Sequence, residues 1–278
     1  MLIFVILHYN NARDTLDCIK SLKKFKSKIV VVSNSHDYEN LKKIESKVDK
    51  LIINDDNIGF AKANNIGCKF AIKNYNPDYI CVINNDIIIN QKDFVKKIND
   101  LYNEYEFDVL GPKILPLETD SNNPFPAYKS LEEIRKKIKY TERLIKVYKS
   151  PFKRNLLNLY LKIKIKNKNK KDTQNNEDIL GEPLHGCALI FSKKYYKKYK
   201  DVFYNDTYLF HEEEFLYYRC KHDNLVFLYS PSIELIHKEG MSLNNRFNNN
   251  YEKMIFRNEE ILKSLKKLED VYMKGVAI

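Results

Sequence analysis

Three consecutive residues, Asn84-Asn85-Asp86, carry the clearest chemical signature in this sequence of 278 residues. They follow a strand-like apolar run at 79–83 and precede a second run, Ile87-Ile88-Ile89. One carboxylate and two amides therefore stand where buried backbone emerges into solvent. A lone carboxylate among neutral acceptors suits a hard divalent cation that keeps several waters and also binds substrate phosphate. An isolated tripeptide of this kind is usually a polar turn. Its company argues otherwise, because His8-Tyr9-Asn10, Ser33-Asn34-Ser35 and Asn54-Asp55-Asp56-Asn57 also each follow a short apolar run.

Those runs, at 2–7, 29–32, 51–53 and 79–83, are rich in Ile and Val and read as strands buried on both faces. Helical patterns at 12–25, 38–48 and 60–74 separate them, which predicts a parallel sheet with crossover helices. Ligands of such sheets bind outside the carboxyl ends of the strands, where the four polar clusters converge. Gly59 immediately precedes the third helical pattern. The unpaired N–H groups of that helix start, with Lys62 in its first turn, would suit a phosphate.

Further along, residues 184–191 read as a strand entered through Gly186, and 193–199 as a helix. His211-Glu212-Glu213-Glu214 leads into a helical pattern at 215–221, followed by strands at 225–229 and 233–237 and a helix at 251–268. Neighbouring carboxylates raise one another's pKa, which moves one of them toward working pH as a general base. The same acids would also suit a helix N-terminus. His237, at a strand end, is a candidate metal ligand or phosphate donor.

The net charge of +11 is concentrated. Residues 129–171 hold sixteen Lys or Arg against three acids, a local +13, so the rest of the chain is close to neutral at −2. Leu131, Ile134, Ile138, Ile145 and Tyr148 place an apolar stripe on a helix here, which Pro151 should end. Residues 159–165 alternate apolar with Lys, and 166–176 form a polar linker. A basic amphipathic helix can pack on its own domain or lie on an anionic bilayer. No apolar run approaches a membrane span, and the start of the chain reads as a first strand rather than a signal peptide. Five scattered cysteines argue against a disulfide framework or zinc site and for a reducing compartment.

Taken together, these motifs resemble the inverting glycosyltransferases of family 2, especially the rhamnosyltransferase-like branch that builds bacterial surface polysaccharides. The resemblance rests on His8-Tyr9-Asn10, Asn34-Ser35, the stretch from Asn57 to Gly67, Asn84-Asn85-Asp86 at the family's DXD position, Gly186-Cys187-Ala188, Glu212-Glu213 with Arg219 downstream, and His237 with Gly240 and Ser242. It implies an α/β GT-A fold, Rossmann-like, with a mainly parallel central sheet covered by helices on both faces and a basic helical insert. The chain would be one domain: a nucleotide-sugar half (1–115), the insert and linker (129–176), an acceptor half (180–245) and a C-terminal helix (251–270). His8, Tyr9, Asn10, Asn34, Asn57, Lys62, Asn65, Asn84 and Asn85 would bind the nucleoside-diphosphate sugar, and Gly186 and Arg219 would face a glycan or lipid-linked glycan acceptor. Asp86 and His237 would hold Mg²⁺ or Mn²⁺, and Glu213, or Glu212, would be the base. Ser33 stands where the family usually has an aspartate. A cytoplasmic enzyme is implied, peripheral on the membrane if residues 129–171 meet its anionic surface, with no nucleic acid as partner. The competing reading is a non-catalytic nucleic-acid- or membrane-binding protein that uses this basic segment.

Overall fold

The computed structural model describes residues 1–116, 123–154, 176–238 and 249–278. Strand alternation builds its core. In β1 (Leu2–His8), Leu2, Phe4 and Ile6 enter one buried cluster, and Ile3 and Val5 enter another. In β4 (Tyr79–Asn84), Cys81 and Ile83 side with the first cluster and Ile80 and Val82 with the second. A strand apolar on both faces must be covered on both. The helices α1 (Ala12–Leu22), α2 (Tyr38–Glu45) and α4 (Phe94–Tyr105) cover the first face. The second is covered by α3 (Phe60–Tyr75), α6 (Lys193–Lys198) and α7 (Glu212–His222).

β2 (Lys28–Ser33), β3 (Lys50–Ile53), β1 and β4 pair in parallel, in the order β3-β2-β1-β4. Beyond β4 the direction changes. β8 (Ala188–Ser192) runs antiparallel between β4 and β6 (Val109–Pro116), and β6 pairs in parallel with β9 (Phe227–His237). The short β5 (Ile87–Ile88) and β7 (Ile179–Leu180) both lie antiparallel to β9. The architecture is the expected α/β, Rossmann-like one, with helices on both faces of the sheet.

Two local expectations change and a third holds. The two strands anticipated at 225–229 and 233–237 are one strand, β9. Its register against β6 jumps from Pro112↔Ser230 to Lys113↔Glu234. Pro231, which has no N–H to donate, lies in this interruption. Helix α7 begins at Glu212 rather than 215, because carboxylates in a first turn oppose the positive end of the helix dipole. Helix α5 (Leu131–Lys149) ends where Pro151 requires, with Ser150 before it extended, and residues 151–154 are again helical.

The basic helix is not a free arm. Ser130 caps α5 by accepting from the Glu133 N–H at 3.2 Å, and Glu133 reaches back to the Lys129 N–H at 2.7 Å. Its apolar residues Ile134 and Ile138 pack with Phe215 and Tyr218 of α7, and with Leu265, Leu268 and Val271 of α8 (Asn250–Lys274). Arg135–Glu269 and Lys149–Glu259, each at 2.7 Å, tie the two long helices together. The apolar face that a bilayer would need is therefore already used inside the protein. The alternating stretch at 159–165, most of the linker, and Gly240 and Ser242 lie outside the described residues.

One glycine fixes the approach to the site. Gly59 has φ +89°, and a Cβ there would fall 2.2 Å from the Tyr208 carbonyl oxygen, which accepts from the Phe60 N–H at 2.9 Å. Backbone meets backbone, so neither side can yield. We expect Gly59→Ala to cost more than ~2 kcal/mol, from the left-handed φ and the lost contact together. Urea unfolding measures this, and a variant as stable as wild type would contradict it.

Candidate active site

The carboxyl ends of β1, β2 and β4 turn into loops that share one polar network. The buried His8 ring places Nδ1 2.7 Å from Thr15 Oγ1, which donates to the Asn11 carbonyl at 3.0 Å and also receives the Asn85 amide at 3.0 Å. Burial lowers the His8 pKa to about 4, partly offset by the charge of Asp37, so the ring is neutral. Asn34 donates to Asn57 Oδ1 at 3.0 Å and to the Gly59 carbonyl at 3.1 Å, and accepts from Asn54 at 2.8 Å. These amides build the rim as well as line it.

Two cavities open along this edge. The smaller, ≈ 170 Å³, is lined by Tyr9, Asn34, Asn57, Asn84, Asn85 and Asp86 among others. The larger, ≈ 570 Å³, contains Gly186, His211, Glu212, Glu213 and Glu214. Phe60, Asn84, Leu209 and Phe210 line both, so the cavities adjoin across these four residues. Asp86 and Glu213 thus face neighbouring compartments of one cleft.

In the smaller compartment, Asp86 Oδ1 lies 3.3 Å from His237 Nε2. β5, paired with the end of β9, sets that distance by matching Ile87 to His237. The Asp86 carbonyl accepts from the Lys238 N–H at 3.0 Å, closing the two segments against each other. His237 Nδ1 is buried and has no hydrogen-bond partner among the described residues.

In the larger compartment, Glu213 Oε1 accepts from the Gly186 N–H at 3.1 Å. A Cβ on residue 186 would fall 2.4 Å from that same oxygen, so a larger residue there would push the Glu213 carboxylate aside. Burial, and then the charge of Glu214, push the Glu213 carboxyl up to about 7. Glu212 is likewise raised, chiefly by burial and then by Glu213. A carboxylate poised near neutrality within a cleft can take a proton from a bound hydroxyl.

Several residues expected at the ligand stand elsewhere. His8 is in the buried network just described. Asn10 is exposed, with φ +59° and its N–H on Ser35 Oγ at 3.3 Å. Lys62 is exposed and lines neither cavity, and the Phe60 N–H of the same helix start is occupied by Tyr208. Asn65 is buried, and its amide makes a reciprocal pair with the backbone of Phe203, both bonds at 2.9 Å. Arg219 is buried too, with its guanidinium on the carbonyls of Ile278, Asp201 and Val202 and on the Tyr195 hydroxyl. These last two side chains join segments of the fold.

The cleft also contains residues not anticipated as part of it. Phe60 stood within the Asn57–Gly67 stretch without a role of its own, and Leu209 carried no signal. Phe210 and His211 have φ of +69° and +71°, two successive non-glycine residues in the left-handed region. The proximity of His211 to the three acids was the only signal available for it.

Comparison with known proteins agrees with this fold. No curated protein sequence matches the chain. Among solved structures, S. aureus TarS has 14% identity and a TM-score of 0.51, covering 86% of this chain and 37% of that one. GalNAc-T7, solved with UDP, GalNAc and Mn²⁺, has 12% identity and a TM-score of 0.56, covering 99% and 56%. The chain thus spans about half or less of these structures' length, and at such identity the likeness is one of fold. Residues 3–199 match the profile of glycosyl transferase family 2, a span that includes every strand of the parallel half, Asp86 and Gly186. By that match, over more than half of its length, the chain belongs to glycosyl transferase family 2.

Proposed function

We propose that the protein transfers a sugar from a nucleoside diphosphate to an acceptor hydroxyl, with inversion, in assembly of a bacterial surface glycan. The observation that carries this is the adjoining of the Asp86 and Glu213 compartments across Asn84 and Phe210. A donor diphosphate by Asp86 and a hydroxyl by Glu213 would then meet at their shared wall. Tyr9, Asn34, Asn57 and Asn85 would line the nucleotide, with Asn84 toward the ribose.

The chemistry balances within this chain's residues. The acceptor oxygen bonds to the anomeric carbon as the bond from that carbon to the diphosphate oxygen breaks. The diphosphate leaves with the electron pair, and the hydroxyl proton passes to Glu213. Approach opposite to the leaving group in one displacement inverts the carbon.

Asp86, which lines the smaller cavity, and His237 beside it fit a Mg²⁺ or Mn²⁺ ion, as one hard oxygen and one imidazole nitrogen 3.3 Å apart. No group of three or more His, Cys, Asp or Glu suited to a metal occurs among the described residues, so diphosphate and water would complete the shell. When bound, such an ion neutralises charge on the leaving diphosphate. That GalNAc-T7 was solved with Mn²⁺ supports this reading.

Among the described residues, no helix is long and apolar enough to cross a membrane. With the apolar face of α5 buried, any attachment to an anionic membrane surface would rest on the lysines and on the exposed Phe152 beyond that helix.

Thermal melts with a panel of nucleoside diphosphates test the function. We expect at least one to raise Tm at millimolar concentration, and more so with Mn²⁺, because binding to the native state alone stabilises it by mass action. No shift with any nucleotide, with or without Mn²⁺, would end the proposal.

A further inference from the structure

Glu214 takes no part in the transfer described above, yet it is among the most buried acids of the chain, at 3% exposure. Its Oε1 lies 2.9 Å from His211 Nδ1, three residues earlier. At that distance Nδ1 donates to the carboxylate, and Nε2 is the second polar atom of the ring. Both residues line the larger compartment beside Glu213. His211 Nε2, Glu214 Oε2 and Glu212 Oε1 are all buried there with no hydrogen-bond partner among the described residues. One unpaired buried polar atom costs roughly 1–3 kcal/mol, so three at one cavity call for a polar occupant. The left-handed φ of His211 adds a backbone cost at the same point. The Tyr128 ring, with its centroid 5.8 Å from that of the imidazole, flanks it.

From this geometry we infer that His211, oriented by Glu214, binds the acceptor: Nε2 accepts a hydrogen bond from a hydroxyl of the acceptor next to the one that Glu213 deprotonates. The acceptor is then a polyol that presents at least two neighbouring hydroxyls to the cleft. A carboxylate holding Nδ1 fixes both the tautomer and the ring angle, so the second hydroxyl is selected by direction as well as by distance. Glu214 is a positioning residue here, acting through His211. The inference rests on the reading of the larger compartment as the acceptor side.

Steady-state kinetics on the full chain test it, with the nucleoside-diphosphate sugar that it turns over and methyl glycosides as acceptor probes. His211→Asn tolerates the positive φ and keeps a polar atom near the Nδ1 position, but has none where Nε2 stands. We expect acceptor KM to rise about tenfold, the size of one hydrogen bond, with donor KM within about twofold. Glu214→Gln, which keeps the shape and loosens the orientation, should shift acceptor KM in the same direction by less. Should His211→Asn fail to fold, Glu214→Gln provides the test alone. A ¹⁵N NMR spectrum gives a readout without turnover: Nε2 of His211 should resonate as an unprotonated ring nitrogen and move when the methyl glycoside is added. An unchanged acceptor KM in both variants, an equal rise in both KM values, or an Nε2 that stays fixed on adding the probe would overturn the inference. A wild-type chain that turns over no donor would instead remove the transferase reading beneath it.

Discussion

Glu213→Gln should lower kcat by about a hundred- to ten-thousand-fold, the range contributed by a general base, while the nucleotide continues to bind. The substitution is nearly isosteric. A Gln carbonyl oxygen can still accept from the Gly186 N–H, now at 3.1 Å from Glu213 Oε1, but it cannot take the acceptor proton. The pH dependence follows from the raised carboxyl. The working form is the carboxylate, so wild-type kcat/KM should climb as pH rises through about 7, and the variant should lose that limb. Stability runs the other way. The folded chain holds a proton on Glu213 that the unfolded chain has already released between the ordinary value of 4.5 and about 7, so stability falls as pH rises across that window. Glu212, also raised, adds a decline of the same sign that the variant retains. Glu213→Gln should therefore melt above wild type at pH 8 and level with it at pH 4. Retained activity, or a flat wild-type profile, would move the base elsewhere in the cleft.

Asp86→Ala should reduce turnover by about a thousandfold or more, several kcal/mol of charge stabilisation lost at the leaving diphosphate. It should also abolish the extra Tm rise that Mn²⁺ gives with nucleotide. The fold should survive, because the structural bond at this position runs from the Lys238 N–H to the Asp86 backbone carbonyl, which alanine keeps. His237 Nε2, 3.3 Å from the Asp86 carboxylate, would lose that partner. The pairing of Ile87 and Ile88 with His237 and Ile236 would still hold the loop in place. A variant with full Mn²⁺-dependent nucleotide stabilisation would show that Asp86 is not where the ion sits.

Much of the parallel half is legible in its apolar runs. The four runs at 2–7, 29–32, 51–53 and 79–83 became β1 to β4 with shifts of one residue at most; β1, β2 and β4 are buried on both faces as expected, whereas β3 lies at the sheet edge with Lys50 and Ile53 exposed. The later strands were harder. β9 looks like two strands because Pro231 and two serines interrupt its apolar run, and only pairing with β6 on either side of the shift makes it one. The acids of α7 suited both a helix N-terminus and a site, and only the cavity they line shows that they form a first turn and a cleft wall at once.

At the site the divide is sharper. Asp86, Asn84, Glu212, Glu213 and Gly186 could be singled out from residue type and position after strands, and all of them line the cleft. Asn65 and Arg219 have the same chemistry on paper, yet bonds to Phe203 and to the C-terminal carbonyl of Ile278 turn them inward. Nothing local in the chain foretells a partner 138 or 59 residues away. The basic helix shows the same limit: its stripe of isoleucines demanded a cover, and only packing against Leu265 and Leu268 decided that the cover was protein. By itself the sequence determined the strands of the parallel half and the kinds of groups at their ends, because these depend on periodicity and on neighbours in the chain. The tertiary structure alone decided which polar groups share a cavity and which are used up holding it open, because that depends on distances between segments far apart in sequence.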